Sequence, residues 1–232
     1  MKKGIIAVIV VIVLIAIGVG AWYYYGKDNG GAAGVSNPGA TVATVNGTAI
    51  TAGQLASAET SLEAQVGATA STTDEKVQLQ SAALSSLIAQ ALLSQAASAA
   101  GVTASSTEIE AQLAQAKAQF SSDSDYQQAL SQRGLTEATL RDQISQSLMI
   151  QAYLDKQLNL SAATATDAEI QTAYNQVASQ NSSVPPLDQV RDQVAQAVVQ
   201  QKQQAAINQY VQQLQAQANV QILISTSTPY QG

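Results

Sequence analysis

The sequence predicts a mainly α-helical fold, with an N-terminal transmembrane helix followed by a multi-helix domain closed by a small sheet. Three observations predict it. Ala and Gln dominate the chain, and both are good helix formers. Thr51 with Gln54, Thr72 with Glu75, Ser105 with Glu108 and Thr166 with Glu169 each place a hydroxyl three residues before a Glu or Gln, ahead of a helical apolar pattern. In such a capping box the hydroxyl bonds the N3 amide while the N3 side chain reaches back to the cap amide. Finally, Gly4 to Ala21 is unbroken apolar sequence, extended by Trp22, Tyr23, Tyr24 and Tyr25.

That first segment is read as the anchor. About 20 helical residues at roughly 1.5 Å each cross the hydrocarbon of a bilayer. Lys2 and Lys3 precede the span and orient the N-terminus to the cytoplasm. The Trp-Tyr cluster suits the outer interface, where rings with polar edges meet headgroups. The competing reading is a cleaved signal peptide with Val19-Gly20-Ala21 as its site, but signal h-regions usually run only about 7–15 residues. Residues 1–26 are therefore assigned to the cytoplasmic start and anchor, with residues 4–25 in the lipid bilayer. Residues 27–40 are rich in Gly, Ala, Asn and Ser and read as a flexible linker. The helical domain spans 41–224, outside the cytoplasm, and 225–232 reads as a disordered tail.

Within the domain, Thr41 to Val45 reads as a strand, Asn46-Gly47 as a turn and Thr48 to Ile50 as the returning strand. Helices follow over roughly 52–66, 73–100, 106–120, 124–133, 137–158, 167–179 and 187–218. Gly101 and Gly134 stand where a left-handed residue would end a helix. Leu84, Leu87, Ile88, Ala91 and Leu92 form one core-facing stripe, and Leu140, Ile144, Leu148 and Leu154 a second. The last helix carries Leu187, Val190, Val194, Ala197, Ile207, Val211, Leu214 and Ala218, and its length implies that it bridges distant parts of the fold. Val220 to Ile224 reads as a buried strand. Its only compatible partners lie near residues 42–50, so the two ends of the domain should meet.

Composition excludes several chemistries. The chain has no Cys and no His, which removes disulfides, thiolate nucleophiles, the usual zinc sites and imidazole as a general base. With 10 basic and 16 acidic residues, the net charge of -6 offers no basic stripe for nucleic acid. No phosphate loop is visible among the glycines, so no ATP or other cofactor is expected. Asp123 with Asp125 and Asp188 with Asp192 are closely spaced carboxylates, but both pairs fall at helix starts, where they complement the macrodipole. Arg141 and Arg191 are read as partners of surface carboxylates. Asn46-Gly47-Thr48 matches a glycosylation sequon, but the turn accounts for it.

Taken in order, several short pieces resemble the SurA and PrsA group of extracytoplasmic chaperones. They are Val45-Asn46-Gly47 with Ile50-Thr51 and Leu55, Leu87-Ile88 with Leu92-Leu93, and Gly101-Val102-Thr103 before Glu108-Ile109. Tyr126 to Leu130 then precede Gly134-Leu135-Thr136, and Leu140 to Ile144 follow. Thr166 to Ile170 lead to Tyr174, and Pro186 to Val194 open the last helix. The resemblance covers about residues 41–224. In that group a parvulin-type prolyl isomerase domain usually follows the Tyr174-like helix. Here only Val177 to Pro185 lie in that place, whereas a parvulin fold needs on the order of a hundred residues. The sequence thus looks like the chaperone part of a foldase without its isomerase.

The resemblance implies an ATP-independent, membrane-tethered holdase for unfolded or newly translocated polypeptides, with no catalytic residues and no metal. The alternatives are a peptidylprolyl isomerase by family label and a helical scaffold for one fixed partner. Candidate client-binding side chains, lying beside the main stripes, are Leu93, Phe120, Met149, Ile150 and Tyr153. Met149 is chosen because its side chain adapts to many partners. The competing reading of each is ordinary core packing.

Overall fold

A computed structural model describes residues 37–66, 72–132, 135–180 and 184–224. The anchor at residues 4–25, most of the 27–40 linker, Gly134 and the 225–232 tail lie outside these residues. The described chain is mainly helical. In order it forms β1 (Thr41–Val45), β2 (Thr48–Thr51), α1 (Ala52–Val66), α2 (Thr73–Ala99), α3 (Ser106–Lys117) and α4 (Asp123–Gln132). Then come α5 (Glu137–Leu158), a 3-10 turn at Leu160–Ala162, α6 (Asp167–Gln180), α7 (Leu187–Gln217) and β3 (Val220–Ile222).

The sheet begins at Asn46-Gly47. Their φ angles of 50° and 83° are both left-handed, the conformation a two-residue hairpin needs and one that Asn and Gly tolerate. β1 and β2 pair antiparallel, with an irregularity between Thr41 and Ala43. β3 pairs antiparallel on the other side of β1, with Val45 opposite Val220 and Ala43 opposite Ile222, giving the order β2-β1-β3. The two ends of the domain therefore meet in one sheet, as the strand pattern requires. Asn46 secures the junction. Its amide donates to the Asn219 carbonyl, its Oδ1 accepts from the Asn219 amide at 2.9 Å, and its Nδ2 donates to Gln95 Oε1 on α2. Gln95 Nε2 in turn donates to the Val45 carbonyl.

One expectation about β3 is corrected. The strand stops at Ile222, and it lies at the edge rather than in the core. β1 has a neighbour on each side and buries Val42, Ala43 and Val45, whereas β3 has one described neighbour, with Ile222 52% exposed and Leu223, just beyond the strand, 57% exposed.

The helix starts show why the capping pattern is informative and where it fails. Thr51 with Gln54, Thr72 with Glu75 and Thr166 with Glu169 form reciprocal boxes. Ser105 makes no capping bond, so the fourth expected box is absent. Ser105 and Glu108 have the required spacing, but spacing alone does not orient the serine hydroxyl. Thr136 and Thr139 instead cap α5 reciprocally, a Thr-Thr pair outside the usual pattern. At the end of α2, Gly101 adopts φ 66°, with Gly101 N–H bonded to Ser98 O and Val102 N–H to Ala97 O. This is the paired carbonyl closure of a left-handed helix stop.

The described chain divides into two compact units, residues through Gln151 with those from Leu214 onward, and Ala152–Gln213. In the first unit, one core joins the sheet to α1 and α2 through Val42, Val45, Ile50, Leu55, Leu84, Ile88 and Leu92. Leu87, Ala91, Leu214, Val220 and Ile224 pack against it. The α2 stripe is thus the core face the periodicity indicates. α2 is also long and apolar enough to cross a membrane by length and composition, but its buried Ala83, Leu84, Ile88 and Leu92 belong to this core. A second cluster gathers Leu113, Tyr126, Leu130, Leu140 and Ile144 from α3, α4 and α5 and Leu135 from the loop before α5, with Leu148 against it.

In the second unit, Tyr153, Leu154, Ile170 and Val198 are buried. Polar ties converge around residues 159–169. Gln203 Nε2 donates to the Leu160 carbonyl, and Lys202 Nζ donates to the Thr164 carbonyl and Glu169 Oε1. Arg191 pairs with Asp167, and the Tyr174 hydroxyl donates to the Pro185 carbonyl at 3.0 Å. Ala197, read as part of the α7 stripe, is exposed.

Candidate functional site

Among the described residues, the large apolar side chains left exposed are Phe120, Val177, Ile222 and Leu223. Phe120 sits in the turn after α3 because helix bonding gives way there, its amide bonding the Lys117 carbonyl. Its ring meets the buried Tyr126 ring edge-on at 5.6 Å. Lys117 Nζ lies 5.3 Å from the Tyr126 ring centre and 2.8 Å from Glu137 Oε2. Its hydrogen bond to Glu137 raises the lysine pKa, while burial raises that of Tyr126. The result is a half-exposed aromatic ring backed by a second ring and flanked by a compensated charge. It offers apolar contact without an unpaired ion, which suits weak contact with an apolar segment.

Of the five sequence-selected residues, Phe120 is exposed and Met149 is half-buried, its sulfur accepting from the Ser98 hydroxyl at 3.9 Å. Leu93, Ile150 and Tyr153 are buried and are not presented at the surface. Tyr153 is held by a hydroxyl contact with Tyr210, and burial, ahead of that bond, pushes its pKa up to about 12. Phe120 and Met149 lie in the first unit and Tyr153 in the second. The exposed Val177, Ile222 and Leu223 were missed. Val177 lies on α6, and the other two follow from the edge position of β3.

No constellation of three or more Asp or Glu side chains that could hold a metal occurs among the described residues. Asp123 and Asp125 lie in the first turn of α4 and Asp188 in that of α7, where the macrodipole favours them. Arg141 pairs with Glu110 and Arg191 with Asp167, the carboxylate partnerships expected of both. Glu59 on α1 is the unusual carboxylate. Burial raises its pKa, a hydrogen bond from Gln80 opposes the shift, and nearby Glu63 adds to it.

The described residues thus form a helical fold whose small sheet joins the hairpin at Thr41–Thr51 to the strand at Val220–Ile222. The family model of the SurA-like N-terminal domain matches residues 1–154, and the chain belongs to that family. The match covers the hairpin, α1 to α4 and most of α5. No curated protein matches the chain significantly.

Proposed function

We propose that this chain is an ATP-independent holdase, tethered to the membrane through residues 4–25, that retains unfolded or newly translocated polypeptides outside the cytoplasm. The observation that carries the reading is the SurA-like N-terminal family match over the residues that hold Phe120. The exposed apolar groups support it. Each buries limited area against a client, at about 25 cal/mol per Å², so binding is weak and reversible, and release follows from client folding. The short stretch from Val177 to Pro185 supports a chaperone without an inserted isomerase domain. Candidate client contacts are Phe120 and Met149, with Leu93, Ile150 and Tyr153 engaged only on opening.

The test is aggregation suppression by the full chain in lipid nanodiscs, using several unrelated unfolded proteins. Suppression of all of them at comparable ratios supports the holdase. Suppression of none, with tight capture of one folded partner, replaces it by the scaffold reading. Acceleration of prolyl exchange in a short peptide, against an uncatalysed time of about 10–100 s, would restore the isomerase.

A further inference from the structure

We propose that the outer edge of β3 accepts an extended, uncharged segment of an unfolded polypeptide as a fourth strand of the sheet. The proposal rests on the holdase reading and assigns it a binding mode. The argument begins with the backbone. The Asn219 carbonyl accepts from Asn46 N–H, and Leu223 N–H donates to the Val42 carbonyl. In an antiparallel ladder alternate residues direct their N–H and C=O to the same side. Residues 219, 221 and 223 therefore face β1, and the main-chain groups of Val220 and Ile222 face away from it. No described strand lies beyond them. Gln221, Ile222 and Leu223 are exposed, so among the described residues the edge is open to an incoming chain.

Edge strands are commonly protected by charge, by proline or by a covering element. Residues 218–224, Ala-Asn-Val-Gln-Ile-Leu-Ile, carry no charge and no proline. The donors and acceptors of residues 220 and 222 recur at about 6.8 Å, two strand residues apart, a spacing that an extended peptide backbone matches. Ile222 and Leu223, on opposite faces of the strand, then contact alternate side chains of the added segment. The size of the edge also selects the occupant. A stable homodimer generally buries at least about 1,200 Å², far more than a three-residue strand can contribute. A transient client segment needs no such area.

The test uses the full chain in nanodiscs and a labelled, monomeric peptide of alternating valine and threonine. Two further peptides carry N-methyl groups on the amides of one edge or the other. The expected result is measurable binding of the parent peptide, loss of about tenfold or more in affinity when one edge is methylated, and little change when the opposite edge is methylated. Ile222→Pro removes an outward N–H while sparing the β1 ladder, a placement that suits an edge strand, and should weaken binding by about tenfold. Ile222→Lys provides a second variant if the proline disturbs folding, and the methylated peptides need no variant at all. Equal binding of all three peptides, or of wild type and a folded Ile222 variant, overturns the proposal. So does a dimer in sedimentation that Ile222→Pro dissolves, which would give the edge to a second copy. Aggregation suppression without edge-dependent peptide binding leaves the holdase standing and removes only this binding mode.

Discussion

Removal of the terminal strand tests the closure of the first unit. Truncation before Val220 deletes the β1–β3 ladder and two side chains, Val220 and Ile224, that are partly buried against the sheet core. Each loses about half of the ~1.5–3 kcal/mol of a fully buried aliphatic side chain, so together they contribute roughly 2 kcal/mol. The ladder bonds, Leu223 N–H to Val42 O among them, add about 0.5–1.5 kcal/mol each. Ile222 and Leu223 add little, since they are already more than half exposed. The total is about 3–6 kcal/mol, a large share of a usual stability of about 5–15 kcal/mol. At about 2–4 °C per kcal/mol, the melting temperature should fall on the order of 10 °C. Thermal unfolding followed by circular dichroism, in one detergent for all samples, measures it. Truncation after Ile224 removes none of the described contacts and serves as the control. If both truncated chains melt with the full chain, β3 does not close the sheet and the reasoning is wrong.

Three further outcomes follow from individual contacts. Asn46→Gly keeps the left-handed turn accessible but removes the side-chain bonds to Asn219 and Gln95, so it should cost about 1 kcal/mol in urea unfolding, and Gln95→Ala should add a further loss, because Gln95 Nε2 also donates to the Val45 carbonyl and to Thr48 Oγ1. Glu59 has its folded pKa raised above 4.5 by burial, so its contribution is full below that value and is lost as pH rises through the folded pKa. Glu59→Gln should therefore melt above wild type at neutral pH and converge with it in acid. Glu169 behaves oppositely, because its bond from Lys202 and then those from Thr166 lower its pKa to about 2. Its contribution is present above 4.5 and lost as pH falls towards about 2, so Glu169→Gln should flatten that acid limb of the melting profile.

Much of the fold was legible because local signals and tertiary packing agree. The α2 stripe at Leu84, Ile88 and Leu92 is the buried face, and the Asn46-Gly47 turn supplies the left-handed angles that a tight hairpin requires. What escaped the sequence depends on neighbours. Val220 to Ile224 carries the β-branched, apolar character of a strand, but burial depends on whether another element covers it, and β3 is at the edge. Ser105 and Glu108 have the spacing of a capping box, yet the hydroxyl is not engaged. The candidate site shows the same limit. Apolar residues beside a stripe, such as Leu93 and Ile150, do not reveal from periodicity alone whether a second helix covers them, and both are buried. Phe120 is chosen on the same ground, beside the stripes, and it is exposed in the turn after α3.

The most direct measurement of the central claim is photocrosslinking from single positions on the full chain to several unrelated unfolded polypeptides. Reactive groups placed at 120 and 222 should crosslink to every client, while groups at Gln119 and Gln212, exposed polar positions, should crosslink weakly. Crosslinking that is equal at all four positions, or that captures one partner and no unfolded client, would contradict a holdase built on exposed apolar side chains.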